Sequence, residues 1–224
     1  MGGCPAPATV RHPLLLIPTV MPSPQRISIF PLAGALLFPG MQLPLHIFEP
    51  RYRALVRDAV ARDRRIGMIQ PRDSQPVPSL YDIGCVGRIG EIEAMDDGRF
   101  NIVLTGVSRF RVVRELEVST PFRQVEGLME HDSNDDVLAP AERASLEMES
   151  RRFAEANGYL VDWSAVVRLD DASLVNGIAQ VAPFDTAAKQ ALLEAPSLRD
   201  RAECAIQLMQ FFGRSEDEGP STLQ

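Results

Sequence analysis

Lysine occurs once in this 224-residue chain, as Lys189. A Walker-type phosphate loop joins a glycine-rich turn to a Lys-Ser/Thr pair. Lys189 follows Ala187-Ala188 with no such turn before it, so ATP hydrolysis through that motif is excluded. A Ser-Lys dyad would need the same lysine. Its position inside a helical pattern, with no nucleophile turn nearby, reads as structural. Histidine is scarce too: His12, His46 and His131 lie far apart and no HExxH is present, so zinc-ligand spacing is missing. His46, in Pro44-Leu45-His46-Ile47-Phe48, reads as a sheet histidine satisfied by a backbone carbonyl. The cysteines Cys4, Cys85 and Cys204 form no CxxC pair and are odd in number. That argues for reduced thiols in a cytoplasmic protein rather than a disulfide framework. Cys85 and Cys204 sit among apolar residues and read as buried. No apolar run reaches the roughly 18 residues that span a bilayer. Leu14–Ile17 is too short and proline-flanked for a signal segment, and the N-terminus lacks the Ser/Thr of a myristoylation signal.

What is present is ordinary for a globular protein. Hydrophobic residues make up 45% of the chain, and a chain of this length buries roughly 70% of its unfolded surface without a staple. Charge is unevenly divided. Residues 25–130 carry 14 basic and 13 acidic side chains, whereas residues 131–224 carry 8 and 17. An acidic C-terminal half repels phosphate and disfavours broad nucleic-acid binding.

The hydropathy pattern changes character along the chain. Residues 1–24 are Pro-rich and patternless and read as a disordered extension; Met21 is an alternative initiator, which N-terminal sequencing would test. Arg26–Leu32 alternates, with Ile27 and Ile29 on one face, as a strand does. Leu36–Phe38 is extended and stops at Pro39-Gly40; Gln42–Phe48 is extended again. Pro50 suits a first helical position, where its missing N–H would be orphaned anyway. Tyr52, Leu55, Val56, Ala59 and Val60 follow at amphipathic spacing. Arg65–Gln70 is strand-like, and the prolines of 71–80 predict a loop. Ile83–Ala94 and Arg99–Leu104 flank Asp96-Asp97-Gly98, whose Asp-Gly is a two-residue hairpin signal because both central residues can take positive φ. Thr105-Gly106 breaks the run, and Phe110–Val118 and Phe122–Met129 resume it. Short strands separated by turns suggest a small closed or partly closed barrel with the 50–64 helix packed on it.

Beyond the polar linker His131–Asp136 the pattern is helical. Pro140 opens a helix that ends at Asn157-Gly158. Leu174–Ala182 marks a second, and Asp185 caps a third. Ser197-Leu198-Arg199-Asp200 opens a fourth as a loose capping box, with Leu198, Ala202, Ala205, Ile206, Met209 and Phe212 on one stripe and Gly213 as its stop. Residues 214–224 read as a flexible tail. The domain reading is therefore a strand-rich unit at 25–130 and a helical unit at 138–213.

Four blocks carry a resemblance. They are Ile29-Phe30-Pro31-Leu32 with Leu37-Phe38-Pro39-Gly40 and Pro44–Tyr52; Ile83–Ile89; Asp97–Gly106 with Arg109-Phe110; and Lys189–Glu194. In this order they resemble the N-terminal substrate-binding domain of the Lon protease family, over roughly residues 26–212. The resemblance implies an α+β fold: a PUA-like small β-barrel with one packed helix, followed by a C-terminal helical bundle. It implies a stand-alone domain, since the ATPase and Ser-Lys protease modules of full Lon proteases have no counterpart in these residues. It further implies a non-enzymatic module without cofactor that binds unfolded or partner proteins, as an adaptor in proteolysis or protein quality control. A barrel edge adding a peptide strand and a barrel–bundle cleft holding an apolar stretch are two physical modes for that.

The candidate binding residues are Phe48, Glu49, Arg51, Tyr52, Arg53 and Arg57. Structurally, Phe48 closes the barrel, Glu49 meets the helix N-terminus and Tyr52 starts the buried stripe; functionally, the same corner shapes a groove for peptide. Arg53, Arg57 and Arg64 read as one basic helix face, offset by Asp58 and Asp63. Glu91 and Glu93 read as solvent-facing strand positions. Trp163, the only tryptophan, anchors the helical part or offers a partner hot spot. An RNA-associated protein and an enzyme with an unrecognised pocket are the alternatives.

Overall fold

A computed structural model describes residues 23–130 and 137–214. The proposed extension (apart from its last two residues, Ser23 and Pro24), the linker His131–Asp136 and the tail after Arg214 lie outside the described residues.

Six strands form one mixed sheet: β1 (Gln25–Pro31), β2 (Gln42–Ile47), β3 (Arg65–Ile69), β4 (Ile83–Ala94), β5 (Phe100–Leu116) and β6 (Gln124–Glu130). Their order is β2-β5-β4-β3-β1-β6. β6 also pairs with β5, so the sheet closes on itself and β2 lies alongside as an outer strand on β5. Only the β1–β3 pairing is parallel, with Ile29 opposite Gly67; the chain between them passes through β2 and the helix α1 (Pro50–Ala61). The alternation of β1 is what makes closure possible. Ile27 and Ile29 point inward with Ile69, Val86, Phe110 and Val125, a core enclosed by the ring.

The outer side of the ring builds the larger core. Tyr52, Leu55, Val56 and Ala59 of α1 are buried as the spacing predicts, but Val60 is not: it is exposed, because the stripe turns away from the sheet in the last turn. Leu36, Leu37 and Phe38 form no strand; they are buried as irregular backbone and bridge α1 to five further helices. These are α2 (Pro140–Ala156), the short α3 (Trp163–Val166), α4 (Asp171–Val181), α5 (Thr186–Glu194) and α6 (Leu198–Arg214). α2, α4 and α5 all pack on α6, which contributes Leu198, Ala202, Ala205 and Met209.

Local chemistry sets the helix ends. Asp170 accepts from Ser173 N at 2.7 Å and Asp185 from Ala188 N at 2.7 Å. Ser197 Oγ accepts from Asp200 N at 3.1 Å and donates to the Asp200 carboxylate at 2.7 Å. Gly213 does not stop α6 but lies in its last turn. Lys189 spans the α4–α5 corner, donating to the Gln180 carbonyl at 2.8 Å, and burial pushes its pKa down. Buried polar side chains tie helices to sheet. Asn176 donates to the Pro39 carbonyl at 3.0 Å and Gln190 to that of Ile83 at 3.1 Å. Arg109 of β5 donates to the carbonyls of Leu193 and Ala195 just where α5 ends, a good position for a cation.

Two turns differ from the sequence expectation. β5 runs unbroken through Thr105-Gly106; Gly106 is needed because the Phe38 carbonyl presses on the place a Cβ would take. The β4–β5 loop is Asp96-Asp97-Gly98, with Met95 N bonded to Arg99 O, and only Gly98 has positive φ. A turn followed by a left-handed glycine replaces the tighter form, and the Asp97 carboxylate holds Arg99 N at 3.1 Å.

Candidate functional site

The corner at 48–57 separates into different environments. Phe48 does not close the sheet: its side chain is 60% exposed, beside His46 at a ring distance of 6.2 Å. Glu49 supplies its carbonyl to the first turn of α1, but its carboxylate caps nothing and instead pairs with Arg51 Nε at 2.9 Å. Tyr52 is core, donating to the Pro31 carbonyl at 3.1 Å; burial raises its pKa, against the pull of Arg51 stacked 4.5 Å over the ring. Arg53 and Arg57 lie under the β4–β5 loop: the Arg53 guanidinium fills the space beside Gly98, and that of Arg57 sits 5.7 Å over the Phe100 ring. Arg64 donates to the Gly90 carbonyl. Arg53 and Arg57 of α1 thus lie against the hairpin, Arg57 still exposed to solvent, and Arg64, beyond the end of α1 at Ala61, bonds to β4.

Nearby, His46 is satisfied by a side chain and not by a backbone carbonyl: Nδ1 meets Asn101 Oδ1 at 2.7 Å. Asn101 in turn donates to Glu93 at 2.8 Å, which fixes the amide orientation and makes Nδ1 the protonated nitrogen. Glu91 and Glu93 are solvent-facing. The free edge of β2 carries Pro44, which removes a main-chain donor and blunts pairing with another strand.

An apolar concave surface lies elsewhere, among the helices. α2 ends at Ala156 with Asn157 as its C-cap, and Gly158, at φ 69°, reverses the chain. Tyr159 N then bonds back to the Ala154 carbonyl at 2.8 Å. Residues 159–169 run as a wall facing α4, and α3 within it is capped by Asp162, which accepts from Ser164 N and Ala165 N. Arg143 ties the end of this wall to α2 and α4, donating to the Leu169 carbonyl at 2.9 Å and pairing with Asp171 at 2.5 Å. Between wall, α2 and α4 lies a groove of about 420 Å³, floored by Phe153, Leu174 and Met209 and flanked by Trp163, Ile178 and Val181. The one serine of the lining, Ser150, spends its hydroxyl on the Leu146 carbonyl at 2.7 Å.

This surface is apolar where solvent reaches it. Of its lining, Val181 is 79% and Leu169 41% exposed; Leu160 and Val167, outside the lining, are exposed on the same wall. Trp163 is half-buried, neither in the main core nor free: the Arg151 guanidinium lies 4.5 Å over its ring. Among the described residues no group of three or more His, Cys, Asp or Glu side chains is placed to hold a metal ion. No helix there is long and apolar enough to cross a membrane. The arrangement can bury apolar side chains; among the described residues its lining holds no acidic or basic side chain. Sequence reasoning named Trp163 but missed the groove. The available signal was Tyr159-Leu160-Val161, an apolar cluster just after the Gly158 stop and outside any helical period.

Comparison with known proteins identifies the family and the fold. Residues 26–210 match the family model of the ATP-dependent protease La (LON) substrate-binding domain. The chain is similar to Lon protease 2 of Myxococcus xanthus, 29% identical over 197 residues, covering 83% of this chain and 24% of that protein. It is also similar to the Lon protease of Anaeromyxobacter dehalogenans, 28% identical over 204 residues, covering 86% and 23% respectively. The chain therefore spans about a quarter of the length of these curated relatives. Among solved structures, a Lon N-terminal domain protein from Xanthomonas campestris superposes with TM-score 0.63 at 24% identity, over 84% of this chain and 98% of that one. The N-terminal domain of a Mycobacterium avium complex Lon protease gives TM-score 0.65 at 17% identity, over 83% and 98%.

Proposed function

The chain belongs to the Lon substrate-binding domain family, and from that premise we propose that it is a non-catalytic module holding apolar segments of unfolded or partner polypeptides in the groove beside Trp163. It serves proteolysis or protein quality control as an adaptor in the cytoplasm, on a PUA-like barrel and a helical bundle. The observation that carries this reading is the groove itself, whose lining is almost wholly apolar and open to solvent. Contiguous apolar patches are uncommon on soluble proteins and mark interaction sites. Its size falls in the range of sites that enclose a ligand. Each Leu- or Phe-sized side chain seated there contributes roughly 1.5–3 kcal/mol, offset by the ordering of the bound segment.

Phe48 is a second, weaker contact for the same clients; its neighbours Glu49, Arg51, Arg53 and Arg57 hold the corner in shape. The cleft mode is favoured over strand addition because Pro44 interrupts the free β2 edge.

Trp163, as the only tryptophan, makes the test direct. Titration with a short Leu/Phe-rich peptide shifts its emission, and a peptide of the same length built from Ser and Gly does not. The double variant Leu169→Gln/Val181→Gln, at exposed positions of the rim, weakens binding by roughly 10-fold while leaving the fold intact. Binding unaffected by that variant would locate the client elsewhere.

A further inference from the structure

The charged side chains around the groove are not balanced. On α2, Glu147 pairs with Arg143 at 2.8 Å and Glu149 with Arg152 at 2.8 Å. On the opposite wall, the Asp162 carboxylate is occupied by Ser164 N, Ser164 Oγ and Ala165 N. Asp170 is occupied by Ser173. These acids are committed to holding the two walls. Arg151, Glu155 and Arg168 have neither an ion pair nor a side-chain hydrogen bond among the described residues, whereas Asp162 and Asp170 have hydrogen bonds but no ion pair. Arg168 lies next to Leu169, which lines the groove. Glu155 is one helical turn from Arg151 and forms no ion pair with it.

Arg151 is the informative one. Its guanidinium lies 4.5 Å over the ring of Trp163, itself a groove-lining residue. Stacking on an aromatic face desolvates one side of a guanidinium and orients its plane while leaving the N–H donors at its edge available. An oriented edge of that kind suits a carboxylate bidentately.

We propose that the groove selects apolar segments bearing an acidic side chain beside the apolar residues, with Arg151 receiving that carboxylate at the rim. This rests on the groove being the client site and names which clients it takes. The net acidity of the C-terminal half does not oppose it. Exposed charges more than a Debye length away, about 8 Å at physiological ionic strength, are largely screened. The Asp162 and Asp170 carboxylates keep their charge but turn it to Ser164, Ala165 and Ser173, which leaves the N–H edge of Arg151 open to a client. Arg151 acts by attracting and orienting the flank of the client, so its effect is on selectivity and salt dependence more than on the apolar contact.

Three labelled peptides test this by fluorescence anisotropy with the full chain. They share one Leu/Phe core and differ only in an Asp, Asn or Lys pair at one end. The Asp peptide binds roughly 3- to 10-fold more tightly than the Asn peptide at low salt, and the Lys peptide more weakly. The difference between Asp and Asn shrinks as salt rises. Arg151→Gln removes that difference while leaving the affinity for the Asn peptide in place; Arg151→Lys keeps part of it. Equal affinity for Asp and Asn peptides, a preference for Lys, or an unchanged preference in Arg151→Gln overturns the proposal. If none of the three peptides binds, the groove reading falls and this selectivity with it. Binding of all three without discrimination sinks the selectivity alone.

Discussion

A Cβ on Gly84 would stand 2.7 Å from the ring of Phe110 and 2.5 Å from the Met68 carbonyl oxygen. Phe110 fills the inside of the closed sheet with Ile27, Ile29 and Val125, so its ring has nowhere to withdraw. Gly84→Ala is expected to destabilise the chain by about 1–3 kcal/mol, the usual cost of overpacking. Gly90→Ala, where the nearest atoms stand 3.8 Å away or more, is expected to change stability by less than about 1 kcal/mol. Urea unfolding of the two variants checks this, and equal midpoints would contradict the packing account.

How much is legible in the sequence depends on whether the cause is local. Pro50 opening α1, Asp185 capping α5 and the stripe of Leu198, Ala202, Ala205 and Met209 follow from neighbours in sequence, and they stand where the pattern puts them. Gly106 misleads because its cause is distant. It looks like a strand breaker, yet it is the close approach of Phe38 that requires it. The basic face at Arg53, Arg57 and Arg64 is divided for the same reason: their neighbours Gly98, Phe100 and Gly90 lie on the β4–β5 hairpin, and Arg64 stands beyond the end of α1. The groove is least accessible of all. Phe153, Ile178 and Met209 come from three helices, and on each they keep the same spacing as core residues. Only the assembled wall at 159–169 leaves them lining a groove.

That wall should respond to acid. The Ser164 hydroxyl and the Ala165 amide, and to a lesser degree the Ser164 amide, hold the Asp162 pKa below its ordinary value of 3.8 against the opposing effect of desolvation. A carboxylate whose pKa is lowered by folding contributes its stabilisation above the unfolded value and loses it as pH falls through the folded one. The α3 cap is therefore constant from neutrality down to about the ordinary carboxylate range, and it is lost below that. Trp163 is adjacent to Asp162 and reports the change: its emission shifts to the red as the wall loosens. Asp162→Asn keeps an acceptor but cannot titrate in this way, so its emission profile is flatter on the acid side. Far-UV circular dichroism recorded alongside distinguishes loosening of the wall from global unfolding. Superimposable emission profiles for the two proteins would remove Asp162 from the account.

The corner at Phe48 and Tyr52 gives two neighbouring aromatics opposite expectations. Tyr52 is 6% exposed and its hydroxyl reaches the Pro31 carbonyl; Phe48 is 60% exposed and rests against His46 alone among the aromatic rings. Tyr52→Ala empties a core position, with an expected loss of about 3–5 kcal/mol, and Tyr52→Phe loses one hydrogen bond, about 0.5–1.5 kcal/mol. Phe48→Ala is expected to leave stability within about 0.5 kcal/mol. Its consequence lies in binding: a client long enough to touch both the corner and the groove binds a few-fold more weakly, whereas a short groove peptide binds as before. Thermal denaturation gives the first comparison and anisotropy with long and short peptides the second. A loss of stability in Phe48→Ala would make Phe48 a structural residue of the corner. Equal affinity of the variant for long peptides would confine client binding to the groove.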